Sequence, residues 1–277
     1  MTDTSTRQDM TDTSTRQFAV VTGASTGIGY HLARVFAQNG FDILVTADEE
    51  RVSEAAREIE ALGAKVYTVQ ADLSKDEEVE RLWEEILATG RMVDAIALNA
   101  GFGAGGDFIE TDLKKELKMI DLNVKAVVHL AKLAAKQMAG RRSGRILITA
   151  SIAGTMPTPQ QAVYGATKAF DLEFAQSLYY ELKDSGVTVT ALKPGATDTE
   201  FFHRAEMDDT KVGTSGKESN DPADVAQQAF DALMRGEKEL FAASFSTKMA
   251  GAAGRFMPDS VKASMHEKMS RHGTADK

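Results

Sequence analysis

The chain reads as an α/β protein of the doubly wound, Rossmann type: a parallel sheet of about seven strands, helices on both faces, three layers in all. Three observations predict this. From Phe18 onward, short β-rich runs alternate with longer helical patterns. The first of these runs is followed at once by a glycine cluster that opens an amphipathic helix carrying Leu32, Val35 and Phe36. Finally, 277 residues with 43% hydrophobic content suit one large core better than two small ones.

The strand candidates are residues 18–22, 43–46, 65–70, 95–99, 145–149, 187–192 and 239–243. Helices are predicted to begin near Ile28, Glu50, Asp76, Asp112, Gln161 and Pro222. Asp221-Pro222 is a strong start, with an acid at the cap and proline in the first turn. Residues 196–220 contain Gly213 and Gly216 and no periodicity, which predicts a long mobile substrate loop. In the helix over 162–182, Phe170, Leu172, Phe174, Leu178, Tyr179 and Leu182 spread around more than one face. That pattern fits either a deeply buried helix or a subunit interface in a homodimer or homotetramer.

Three domain segments are expected. Residues 1–17 hold the same octapeptide twice, Met1–Gln8 and Met10–Gln17, polar and without an apolar stretch; they read as a disordered duplicated segment and not as a secretory signal. Residues 18–244 form the Rossmann-type catalytic domain, and 245–277 a basic, Met-rich tail with six Lys and Arg against three acids. In that tail Phe245, Met249, Ala252 and Phe256 recur at helical spacing. Packing on the acidic body or a neighbouring subunit is its first reading, ahead of a frayed end or a membrane-surface helix.

Composition excludes several classes. Forty-one acids against 32 bases give a net charge of −9, which leaves no overall basic footprint for nucleic acid. The absence of cysteine removes disulfides, thiol catalysis and thiolate metal sites, and fits a reducing, cytoplasmic setting. No apolar run is long enough to span a bilayer. His31, His129, His203, His266 and His272 show no metal-ligand spacing, so no metal is expected.

The chemistry-bearing residues are Tyr164 and Lys168, with Ser151 upstream in Thr-Ala-Ser-Ile-Ala-Gly. Residues i and i+4 share a helix face, so the ammonium can favour the phenolate. Bringing a phenol from pH ~10 to act near pH ~7 asks for roughly 4 kcal/mol of preferential stabilisation. Lys168 is the expected source. The loop Gly23, Ser25, Thr26, Gly27, Ile28 and Gly29 offers backbone N–H groups and a helix N-terminus, a setting for a pyrophosphate.

With Thr-Gly-x-x-x-Gly-x-Gly at Thr22–Gly29 and Tyr-x-x-x-Lys at Tyr164–Lys168, the chain from about Phe18 to Ala243 resembles the short-chain dehydrogenase/reductase family in its compact single-domain branch. Asp72 in Ala-Asp-Leu, Asn99-Ala100-Gly101, Asn123 in Asp-Leu-Asn-Val, and Pro194-Gly195 fall in the family's order. The resemblance implies an NAD(P)-dependent oxidoreductase that interconverts a secondary alcohol and a ketone. It also implies that Ser151 polarises the carbonyl, Tyr164 transfers the proton, Lys168 grips the nicotinamide ribose and Asn123 anchors a relay water. Asp72 with Leu73 would meet the adenine. Asn99, Ala100 and Gly101 would line the ribose, and Pro194, Gly195, Thr197 and Thr199 would cover the nicotinamide. Read singly, Ser151 could cap a turn, Asn123 satisfy helix backbone, and Asp72 cap the next helix.

The second strand ends Thr46-Ala47-Asp48. By the resemblance, NAD users carry their acid where Ala47 stands, and many NADP users an arginine where Asp48 stands. Asp48 is acidic and Thr26 is not a cation, which leans toward NAD over NADP; alternatively Asp48 caps the following helix. Phe102, Ile152, Met156, Phe201, Phe202 and Met207 suggest a mouth for an apolar or ring-bearing small molecule, and Arg204 could hold an anion or lie solvated. Two other readings stand beside this one: a 3-oxoacyl-carrier-protein reductase, and a non-catalytic dinucleotide-sensing protein.

Overall fold

The computed structural model describes residues 16–214, 220–242 and 257–275. Seven strands form one sheet: β1 Gln17–Thr22, β2 Phe41–Ala47, β3 Val66–Gln70, β4 Ala95–Leu98, β5 Gly144–Thr149, β6 Val187–Pro194 and β7 Glu239–Ala242. Every pairing is parallel, in the spatial order β3-β2-β1-β4-β5-β6-β7. The chain reverses its direction of travel between β3 and β4, so the carboxyl ends of β1 and β4 flank a crevice at the switch point.

Strand β1 shows how the three layers close. Ala19 and Val21 face one side, where α1 (Gly27–Gln38) and α8 (Pro222–Arg235) cover the sheet with Leu32, Phe36, Ala229 and Phe230. Phe18 and Val20 face the other, against α3 (Asp76–Ala88), α5 (Val127–Gly140) and α6 (Ala162–Leu182). Such two-sided burial is why the strands are almost continuously apolar. At the other end of the sheet, buried Asp42 pairs with Arg91 at 2.9 Å and Arg16 at 3.2 Å.

Several boundaries differ from the sequence reading. Gln17 already opens β1, so Arg16 and Gln17 belong to the fold and not to the leading segment; residues 1–15 lie outside the described residues. Segment 196–220 is not structureless: it carries α7 (Phe201–Arg204) and a helical turn at 211–214. The helix from Leu113 runs as α4 (Leu113–Ile120), a π-helical turn (Asp121–Ala126) and α5. Phe245, Met249, Ala252 and Phe256 lie outside the described residues, and the described part of the tail is a helix, α9 (Asp259–Ser270). No helix among the described residues is long and apolar enough to cross a membrane.

Candidate active site

One cavity of about 1460 Å³ runs along the carboxyl edge of the sheet. It exceeds the usual 300–1,000 Å³ of a small-ligand pocket, which leaves room for a dinucleotide and a second molecule. Its first half is made of backbone. Gly23 and Gly27 have φ of 65° and 57°, and a Cβ on Gly23 would stand 2.8 Å from Ala100 Cα. Gly29 does not line the cavity; it lets α1 pack on the Gly23 carbonyl and the Asn99 amide. Thr26, the N-cap of α1, gives no side-chain bond to the first turn, which leaves those N–H donors to the cavity. The loop therefore fits a pyrophosphate.

Asn99 braces this half, donating to the Thr22 carbonyl at 3.2 Å and accepting from Thr149 Oγ1 at 3.2 Å. At the far end the cavity is lined by Asp48, Asp72 and Leu73. Asp48 is exposed and does not cap α2 (Arg51–Glu60), whose N-cap is Glu50. Neither does Asp72 cap α3. It accepts from Ser74 and meets Lys118 at 3.1 Å; burial raises its proton affinity, but those partners outweigh burial and hold the carboxyl below the usual range.

Beside Asp48, Glu49 accepts from Ser25 Oγ at 2.5 Å and from Arg204 at 2.8 Å. Burial works against its ionisation, yet Ser25 and Arg204 prevail and the carboxyl is held low. Arg204 also meets Glu200 at 3.2 Å, and Arg51 meets Glu200 at 2.7 Å. Arg204 is an exposed surface residue, but its pairing with Glu49 and Glu200 means it is not a free anion site. It ties α7 to the turn after β2.

The second half is made of side chains. Tyr164 and Lys168 lie one turn apart on α6, and Ser151 stands at the end of β5. Gly154 and Gly165 bring these elements together, because a side chain on either would collide with the Lys168 carbonyl or with Thr158. Ser151 does cap a turn, accepting from Ala153 N at 3.1 Å, and its hydroxyl stands close enough to the Tyr164 phenol to favour the phenolate. Lys168 Nζ donates to the Thr149 carbonyl at 2.8 Å and to Asp171 Oδ2 at 2.9 Å. Asn123, wholly buried in the π turn, does not serve helix backbone. Its side chain donates to the Phe102 carbonyl at 3.0 Å and to Thr167 Oγ1 at 3.1 Å, and accepts from Phe102 N at 3.2 Å.

The electrostatics correct one expectation. Burial pushes the Tyr164 phenol up; Lys168 and Ser151 pull against burial without reversing it, and Asp171 adds to it. Lys168 favours the phenolate but does not outweigh the burial of the ring, and the nearby Asp171 carboxylate makes a smaller contribution in the same direction as burial.

Phe102, Ile152, Met156, Phe201 and Phe202 line the mouth as the sequence suggests, and the Phe201 ring lies 5.2 Å from that of Tyr164. Met207 does not join them: it is fully buried, filling the space that Gly105 leaves. Pro194, Gly195, Thr197 and Thr199 line the cavity beside Tyr164 and Lys168. The sequence reading missed the roof. Met257, Lys262, Met265, His266 and Met269 reach the cavity from the tail. His266 Nδ1 donates to the Pro159 carbonyl at 3.1 Å, and Asp209 accepts from Gly273 N at 3.0 Å and from His272 at 2.8 Å. No local signal in residues 257–275 could have revealed partners so distant in sequence.

A phosphate cradle at the switch point, joined to a serine, a phenol and an amine, defines a dinucleotide-dependent enzyme of alcohols or carbonyls. Residues 17–210 match the family model described as short chain dehydrogenase. An uncharacterized oxidoreductase of Staphylococcus saprophyticus is 34% identical over 78% of this chain and 91% of its own. A 3-oxoacyl-[acyl-carrier-protein] reductase of Staphylococcus epidermidis is 33% identical over 64% and 73%. The structure of a short-chain dehydrogenase from Sphingobium yanoikuyae in complex with NADPH superposes with a TM-score of 0.76 at 28% identity, covering 86% of this chain and 93% of that one. The chain belongs to the short-chain dehydrogenase family and is an oxidoreductase.

Proposed function

We propose that the protein interconverts a secondary alcohol and a ketone, apolar or ring-bearing, with a nicotinamide dinucleotide as its redox partner. The observation that carries this reading is the convergence of Ser151, Tyr164 and Lys168 on a cavity whose other half is the glycine loop. When bound, the dinucleotide supplies or accepts the hydride. The first turn of α1 and the glycine loop bind its pyrophosphate, and Lys168 and Asn99 lie where its nicotinamide ribose would rest. Ser151 Oγ orients the substrate oxygen, and the Tyr164 hydroxyl gives that oxygen its proton in reduction and takes it back in oxidation. The Phe102, Ile152, Met156, Phe201 and Phe202 wall, roofed by Met265 and Met269, excludes water and selects apolar groups. Asn123 holds the Phe102 segment against the π turn beside this wall. We read the enzyme as cytoplasmic and homo-oligomeric, with α6 and its half-exposed Phe170 at the subunit interface.

The preferred cofactor is NAD, because the carboxylate of Asp48 lines the adenosine-ribose end, and the nearby Arg204 is neutralised by Glu49 and Glu200. Initial rates across a panel of secondary alcohols and ketones with both cofactors test the whole reading. Activity with apolar ketones and NAD is expected, and no turnover of any carbonyl would defeat it. Glu49→Gln should raise acceptance of NADP several-fold by releasing Arg204 from one of its two carboxylates, at a stability cost under about 1 kcal/mol for so exposed a pair. A 3-oxoacyl-carrier-protein reductase is the second reading, favoured by the Staphylococcus epidermidis relative. Salt-sensitive reduction of a 3-oxoacyl-carrier substrate, faster than that of free ketones, would select it.

A further inference from the structure

Among the described residues Asp171 is the one acid buried against the amine of the proposed catalytic pair, and it lies outside the motifs named above. It sits three residues beyond Lys168 on the same face of α6, with no exposure to solvent. Its Oδ2 lies 2.9 Å from Lys168 Nζ, and its Oδ1 is buried without a hydrogen-bond partner among the described residues. A carboxylate half-satisfied in the core is costly unless the pairing it makes is needed. Lys168 has three N–H donors. One goes to the Thr149 carbonyl, one to Asp171, and the third is left for the cleft that the side chain lines beside Gly101.

We propose that Asp171 is a positioning residue for the Tyr164/Lys168 pair, fixing the direction of the Lys168 ammonium and withholding from the phenol much of its positive charge. The proposal rests on the catalytic reading of Tyr164 and Lys168 given above. As an ion pair Lys168 and Asp171 carry no net charge; burial raises the Asp171 carboxyl while Lys168 pulls it down, and the carboxylate adds to the burial that keeps the phenol protonated at neutral pH. A protonated phenol is an acid. The site is thereby set for ketone reduction near pH ~7, where Tyr164 must donate, and for alcohol oxidation only at higher pH.

Other charges around α6 do not compete for this role. On α4, Glu116 accepts from Thr111, Lys115 pairs with Glu206 and Lys118 with Asp72. In the π turn Lys125 pairs with Asp121 and Asp76, and on β6 Lys193 pairs with Glu239 of β7, which also accepts from Gln176. Arg145 stands at the opposite end of β5 from Thr149. On α6 itself, Glu173 sits about 200° round the helix from Asp171. The burial that raises the Tyr164 phenol, with Asp171 adding to it, agrees with this geometry.

The test needs no substrate. Phenolate absorbance is titrated in the full chain and in Tyr164→Phe, and the difference isolates the Tyr164 hydroxyl. In Asp171→Asn, an isostere without charge, its midpoint should fall by about one unit or more, because the Lys168 charge is no longer shared. In Lys168→Met, adding Asp171→Asn should lower it by less, since only the direct repulsion by the carboxylate is then removed. The pH profile of alcohol oxidation should shift downward in parallel, with near-ultraviolet circular dichroism unchanged. A midpoint that stays in place in Asp171→Asn overturns the proposal, even if rates fall, since a packing role alone would do that. Unfolding of both Asp171→Asn and Asp171→Leu overturns it as well, by making the residue structural. A wild type that turns over no carbonyl, with the midpoint still shifting in the variant, would instead defeat only the functional reading.

Discussion

The two halves of the cavity are built on opposite principles. Around β1 and α1 the ligand-facing surface is backbone: Gly23 and Gly27 in the left-handed region, an uncapped first turn, and Gly29 pressed against Gly23. Around β5 and α6 it is side chains, Ser151, Tyr164 and Lys168, held by Thr149, Asp171 and the tight approach of Gly154 and Gly165. Backbone sites recognise what is common to all dinucleotides, and side-chain sites set which oxygen is protonated and when. The roof over the second half comes from residues 201–204 and 257–269, far away in the chain.

If the halves differ in this way, they should fail differently. The largest effect is expected from Gly29→Ala, whose methyl has only the Gly23 carbonyl and the Asn99 amide to enter. We expect a loss of about 3 kcal/mol and a melting temperature lower by roughly 5–10 °C, with binding and turnover lost together. An unchanged melting curve would show that the first half is more plastic than its backbone construction implies.

A smaller effect separates two methionines of the second half. Met207→Ala, in the core under Gly105, should cost about 2–3 kcal/mol and leave the substrate profile alone. Met265→Ala, half-exposed on the roof, should cost under about 1 kcal/mol but raise KM for apolar ketones. Thermal melts and kinetics on the same samples compare them, and equal behaviour would remove the distinction between floor and roof.

The smallest effect concerns docking of that roof. Burial lowers the His266 pKa below its ordinary value near ~6.5, with the Pro159 carbonyl opposing. A depressed histidine favours the docked state fully above pH ~6.5, and that contribution is lost as pH falls, because the undocked ring binds the proton more readily. Protection of residues 257–275 against hydrogen exchange, taken relative to the base-catalysed intrinsic rate, should therefore fall between pH ~7.5 and ~5.5, and His266→Gln should flatten the change. Protection that is independent of pH in the wild type would exclude His266 as the cause.

How much was legible follows from the same contrast. The glycine loop, the alternation of strands and helices and the Tyr164/Lys168 face come from local spacing, and local spacing is what a sequence displays. Met207 was misread as lining because an apolar residue near a mouth gives no sign of which side it turns to; only the space under Gly105 decides. Asp171 passed unnoticed because nothing local says that an acid in a mixed helix faces inward to an amine. The roof was invisible because His266 and Pro159 are partners across 107 residues. Asn123 was placed in the right motif, but its bonds to Phe102 depend on a π turn that composition does not announce.

The account stands or falls on the phenol. Replacing Tyr164 with phenylalanine removes one oxygen from a buried ring, and dinucleotide affinity and turnover can be measured on the same preparation. We expect affinity to stay within about twofold and turnover of the best ketone to fall by roughly three orders of magnitude. Turnover that survives the substitution, or a wild-type chain that binds neither NAD nor NADP, would contradict it.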